Sequence, residues 1–83
     1  MVDTSTRIFD PEELKKTNIR QVLDNVTESL QERGYNPVTQ LVGYLITNDP
    51  AYISNYNNAR TLIQTLDRDE ILKEVISSYL NNK

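Results

Sequence analysis

Apolar residues in this chain return every three or four positions, in short runs separated by polar turns. Between Asn36-Pro37 and Asp49-Pro50, the residues Val38, Leu41, Val42, Leu45 and Ile46 stand at i, i+3, i+4, i+7 and i+8. That repeat lays all five on one stripe of a helix. Asn36 can accept from the first free N–H groups, and Pro37 suits a first position where no donor is wanted. The spacing predicts a helix from Pro37 to about Thr47. Upstream, Ile19, Val22, Leu23, Val26 and Leu30 keep to one face as far as Arg33, and Gly34 fits the left-handed position that closes a helix. Thr17 or Asn18 is expected to cap the start of that helix. Asp10-Pro11-Glu12-Glu13 reads as the start of an earlier, short helix, because Lys15, Lys16, Thr17 and Asn18 bring little to bury.

Asp49-Pro50 opens a turn through Ala51, Tyr52 and Ile53, and SNYNN after it is polar and turn-like. Ala59, Leu62, Ile63 and Leu66 mark a helix from about Asn57. Asp67 with Glu70 forms a D-x-x-E capping box for a last helix, whose face is Ile71, Leu72, Val75, Ile76, Tyr79 and Leu80. All three prolines follow Asp or Asn, each where a helix would begin. No period-2 strand pattern or Asn-Gly hairpin turn occurs. The fold class is all-α: a compact bundle of four to five short helices. Residues 10–80 form a single helical domain, residues 1–9 a flexible N-terminal tail, and residues 81–83 a frayed C-terminus.

Composition narrows the function. The chain has 83 residues, 37 % of them hydrophobic, with no Trp and one Phe. A domain of roughly 70–80 ordered residues without disulfides or metal often gains stability by oligomerising, so a homodimer is expected. Nine basic against twelve acidic residues leave a net charge of −3. An acidic surface repels phosphate backbones and anionic headgroups, which disfavours nucleic acid and membrane as partners. No apolar run approaches the roughly 18 residues of a membrane span, and no export signal opens the chain. The expected location is cytoplasmic. With no cysteine and no histidine, thiolate chemistry, imidazole catalysis and the usual zinc ligand sets are excluded. No cofactor, metal or catalytic residue is expected.

Only Asp and Glu remain for acid–base or metal chemistry. Asp67, Asp69, Glu70 and Glu74 cluster at a helix start, and ordinary capping with a solvated face explains them better than a catalytic or metal site. Five tyrosines are prominent beside a single Phe. Tyr44 and Tyr79 lie on or beside apolar stripes and fit an interface as well as a core. Tyr35 and Tyr52, each beside a helix junction, are expected to pack over it. Gly43 sits inside the central helix, at a cost of roughly 0.8–1 kcal/mol relative to Ala. Close approach of another helix, for instance across a dimer axis, is the favoured reason. Gly43, Tyr44 and Tyr79 are therefore the candidate interface residues. Thr4, Ser5 and Thr6 place three hydroxyls together beside Arg7, where a phosphate would add roughly −1.5 to −2 charges.

These residues resemble the IreB family of small regulatory phosphoproteins from Gram-positive bacteria. The resemblance runs through RGYNPVTQLVGYL and NDPAYI, continues at Asn58-Ala59-Arg60 with Leu62-Ile63, and ends in Arg68-Asp69-Glu70-Ile71 and Ser78-Tyr79-Leu80. It implies a cytoplasmic, all-helical homodimer with a disordered N-terminus. It also implies phosphorylation by a membrane-anchored Ser/Thr kinase with PASTA domains, opposed by a PP2C-type phosphatase, in cell-envelope stress and tolerance to cell-wall antibiotics. The family's phosphoacceptors are tail threonines, one in a pattern like Thr-x-Lys/Arg-Phe. Here Thr6-Arg7-Ile8-Phe9 keeps the Thr and Phe with the basic residue one position early, while Ser5-Thr6-Arg7-Ile8 keeps the basic spacing with Ser and Ile. Thr6 and Thr4, then Ser5, are the candidate phosphosites. A second departure is Ser54-Asn55-Tyr56-Asn57, where the family typically carries a more basic, proline-containing stretch.

The reading that results is a non-enzymatic regulatory protein whose tail is phosphorylated and whose folded body binds a downstream protein that the sequence does not name. The alternative is a constitutive helical interaction module that needs no phosphorylation.

Overall fold

The computed structural model describes residues 10–82. The tail expected over residues 1–9, with Thr4, Ser5 and Thr6, lies outside the described residues, as does Lys83. Among the described residues the chain is all-helical: α1 (Pro11–Glu32), α2 (Pro37–Thr47), α3 (Ala59–Ile63) and α4 (Arg68–Asn81), with 3-10 turns at Pro50–Tyr52 and Tyr56–Asn58.

Each Asx-Pro step starts an element, as the sequence predicts. The Asp10 carboxylate accepts from the N–H of Glu12 at 3.0 Å, Asn36 from Thr39 at 3.2 Å, and Asp49 from Ala51 at 3.0 Å. In each case the proline follows in the first position, where its missing donor is harmless. Gly34 closes α1 at φ +83°. Its N–H donates to Gln31 O at 3.0 Å and that of Tyr35 to Leu30 O at 2.9 Å, the paired bonds of a Schellman end. Asn48, left-handed at φ 60°, closes α2.

α1 departs from the expected pattern. It is one helix of 22 residues, with no break at Thr17 or Asn18. Neither residue is a strong helix breaker, each costing at most about 0.7 kcal/mol relative to Ala, and no Gly or Pro interrupts the segment from Glu12 to Arg33. Contacts with α4 hold the region across the expected break: Lys15 Nζ lies 3.6 Å from Glu70 Oε1, and Arg20 pairs with Glu74.

α1 carries the core. Val22, Val26 and Leu30 are buried along one stripe and meet Tyr44 of α2, Ile53 of the linker, Ala59 and Ile63 of α3, and Ile71 of α4. The links between helices are tied down by polar side chains. Ser29, itself buried, donates its hydroxyl to the carbonyl of Tyr56. Arg60 Nε donates to Ile53 O at 2.9 Å, and Gln40 Nε2 to Tyr52 O at 2.8 Å. α3 begins two residues later than expected because Asn57 and Asn58 are both left-handed, at φ 55° and 62°, a conformation Asn tolerates better than most residues.

The capping box at α4 does not form. Asp67 occupies the cap position, but its side chain makes no capping bond, and the Glu70 carboxylate turns instead to Lys15 and Lys73. α4 then runs on through Asn81.

Two substitutions test this arrangement. Asn18→Pro is expected to cost about 3 kcal/mol or more, because position 18 is interior to α1; in a chain with a helix starting at Thr17 it would be tolerated. Leu30→Ala should cost about 2–5 kcal/mol through the cavity it leaves. Urea denaturation followed by circular dichroism reads both.

Candidate functional site

Apolar periodicity places residues on one stripe of a helix, but not the partner that covers the stripe. In α2 the side chain that enters the core is Tyr44, 2 % exposed. The stripe of Val38, Val42 and Ile46 lies open, with Ile46 75 % exposed. The same is true of α4. Ile71 and Glu74 face inward, while Leu72, Val75, Ile76, Tyr79 and Leu80 stay outside, Tyr79 at 65 %. The two open stripes meet at an apolar groove of about 320 Å³, walled by Leu23 and Thr27 of α1, Val38, Leu41, Val42 and Leu45 of α2, and Ile71 and Val75 of α4. Exposed apolar area of this extent, continuous across two helices, is characteristic of surfaces that another protein covers.

The three candidate interface residues thus have three different placements. Tyr44 belongs to the chain's own core. Gly43 does face a close neighbour, but that neighbour is the chain's own Tyr52: a Cβ built on Gly43 would stand 2.5 Å from two carbons of the Tyr52 ring. The close packing expected at Gly43 is thereby accounted for within one chain, and Tyr52 packs over its helix junction as expected. Tyr79 alone of the three lies on the open surface.

The acidic cluster is divided among separate tasks. Glu74, buried, pairs with Arg20. Glu70 lies between Lys15 and Lys73, at 3.6 and 3.8 Å. Asp67 and Asp69 border a polar cavity with Asn48, Gln64 and Arg68, and Arg68 Nη1 donates to Leu45 O at 2.9 Å near the C-terminal end of α2. Among the described residues no group of three or more His, Cys, Asp or Glu side chains is placed to hold a metal ion. No described helix is long and apolar enough to cross a membrane.

Sequence reasoning missed two buried polar anchors. Both carried a signal: Ser29 continues the spacing of Val22 and Val26, and Glu74 follows Ile71 by three. A polar residue in phase with an apolar stripe is a candidate for a buried, paired group. The carbonyl partners of Arg60 and Arg68 had no local signal, because they depend on how the turns fold back.

The geometry therefore defines a small all-helical protein with one broad apolar face left open. Its family is shown by comparison with known proteins: the IreB regulatory phosphoprotein family matches residues 4–81, nearly the whole chain. The chain belongs to the IreB family, which is a family of regulatory phosphoproteins and not of enzymes.

The Gly43–Tyr52 contact yields a double-mutant test. Gly43→Ala should destabilise the protein by about 1 kcal/mol as the ring is displaced. In a Tyr52→Ala background the same change should instead stabilise it, by roughly 0.8–1 kcal/mol, through helix propensity alone. Thermal denaturation of the four proteins checks the reversal of sign.

Proposed function

We propose that this protein is a non-enzymatic, cytoplasmic regulator that works as a homodimer, is phosphorylated on its N-terminal tail, and binds a downstream protein. In this reading a Ser/Thr kinase with PASTA domains adds the phosphate and a PP2C-type phosphatase removes it. The signal concerns cell-envelope stress and antibiotic tolerance. Membership in a family of regulatory phosphoproteins supports the modification. The observation that carries the binding role is the open apolar face of α2 and α4, with Val38, Val42, Ile46, Leu72, Ile76, Tyr79 and Leu80 all exposed.

The physical argument for self-association is burial. Each large apolar side chain taken fully out of water contributes about 1.5–3 kcal/mol. A second copy offers a matching apolar surface, as two-fold symmetry requires. Tyr79 is the interface tyrosine in this reading, with Val42 and Ile46 as the exposed apolar residues of α2 in place of Gly43 and Tyr44.

The phosphate acts by charge. A group of roughly −1.5 to −2 beside Arg7 changes how the tail meets the body and its partners, with a coupling of about 1–3 kcal/mol. Thr6 and Thr4 are the leading acceptors, followed by Ser5. Incubation with such a kinase and ATP should label the tail, and mass spectrometry that finds no phosphate on residues 4–6 would sink this reading. The open face would serve a constitutive module equally well, and alanine at Thr4, Ser5 and Thr6 together separates the two. The switch loses its regulation in that variant, whereas the module binds unchanged.

For the dimer, sedimentation at micromolar concentration should show a two-chain species. Ile46→Glu with Tyr79→Glu should weaken association at least tenfold, leaving the helical content intact because both side chains stand in solvent.

A further inference from the structure

The seven cationic side chains of the described residues divide sharply by type. All four arginines are engaged within the chain. Arg20 pairs with Glu74, Arg33 lies 5.4 Å from the centroid of the Tyr56 ring, and Arg60 and Arg68 donate to backbone carbonyls at 2.9 Å. All three lysines, Lys15, Lys16 and Lys73, line one groove between the first turns of α1 and the middle of α4. They are loosely held there. Lys15 and Lys73 share the Glu70 carboxylate at 3.6 and 3.8 Å, beyond hydrogen-bond length, and their side chains are 52 % and 71 % exposed. Lys16 makes no ion pair among the described residues.

Three lysines against Glu12 and Glu70 leave this groove at +1, since Glu74 is neutralised by Arg20. It is a positive site on a chain whose net charge is −3. A phosphate has three strong acceptor oxygens and more charge than a carboxylate, so it competes well for ammonium groups held at this distance.

The groove also lies where the tail begins. Thr6 precedes Asp10 by four residues, a span of up to about 14 Å when extended. Along α1, Lys15 and Lys16 lie only about 8–9 Å beyond Asp10. Arg33, some 34 Å along the same helix, is out of reach.

We propose that the Lys15–Lys16–Lys73 groove is the receiving site for a phosphate on Thr6, folding the modified tail back against α1 and α4. The proposal rests on the phosphoprotein reading above and names where on the body that phosphate acts. Docking draws Lys15 and Lys73 away from Glu70 and lays the tail along α4, the helix whose outer stripe forms part of the open apolar face. A charge change in the tail is thereby passed to the element that partners meet.

The test uses the full chain with phosphothreonine installed at position 6 by chemical ligation, so that it does not depend on any kinase. Phosphorus NMR reads the second ionisation of the phosphate, ordinarily near about pH 6. Nearby ammonium groups favour the dianion, so this ionisation should fall by at least about half a unit relative to a phosphorylated peptide of residues 1–9. In the variant K15Q/K16Q/K73Q it should return to the peptide value. Should that variant lose its helical circular dichroism, Lys16→Gln alone must abolish part of the shift, because this side chain makes no ion pair among the described residues. Equal values in protein and peptide would overturn the proposal, as would a shift that survives removal of the lysines. Failure of kinase labelling would sink the phosphoprotein reading but leave this measurement intact.

Discussion

The buried stripe of α1 is the surface on which the rest of the molecule is assembled. Val22, Val26 and Leu30 lie on successive turns of one unbroken helix, and α2, α3 and α4 all pack against that helix. A chain this small has no second core to fall back on. The continuity of α1 therefore matters more than the propensity of any residue in it. Were the helix to break at Thr17, Lys15 would lose its fixed relation to Glu70, and α4 would be held chiefly through Ile71 and the Arg20–Glu74 pair.

Around that stripe, polar groups do what further apolar residues do in larger domains. Ser29, Arg60, Gln40 and Arg68 each donate to a backbone carbonyl in a linker or near a helix end. A buried carbonyl without a donor costs free energy, so these bonds select one path for the loops as well as stabilising it. Three asparagines with positive φ, Asn48, Asn57 and Asn58, let the chain reverse direction within very few residues. The result is a tight body in which every arginine among the described residues is engaged, leaving the lysines as the more exposed charges.

The same economy explains the open face. Tyr44 and Ile71 are the fully buried side chains of α2 and α4, so most of the apolar residues of both helices remain outside. On a member of the IreB regulatory family, an apolar face of this kind is suited to being covered by another protein. The lysine groove lies between α1 and α4, and α4 also carries the exposed stripe of Leu72, Ile76, Tyr79 and Leu80.

Local signals determined much of this protein. The three Asx-Pro starts, the glycine end of α1, the bounds of α2 and the all-helical class were legible because they depend on neighbours within four residues. So was the family, through the long run RGYNPVTQLVGYL followed by NDPAYI. The inward face of α1 was legible as well, since Ile19, Val22, Val26 and Leu30 are all buried. In α2 tertiary structure decided the split of the stripe. Tyr44 is buried with Leu41 and Leu45 packed beside the core, while Val38, Val42 and Ile46 stay open, because periodicity gives the phase of an apolar face but not its partner. Gly43 signals a close neighbour, but the folded chain supplies the ring of Tyr52 from its own 3-10 turn where another helix was expected. The union of two expected helices into α1 and the diversion of Glu70 from its cap to Lys15 and Lys73 have one origin. Both involve contacts between residues some fifty positions apart, Lys15 with Glu70 and Arg20 with Glu74, which exist only once the chain has folded; the Glu70–Lys73 pair is local and merely accompanies them.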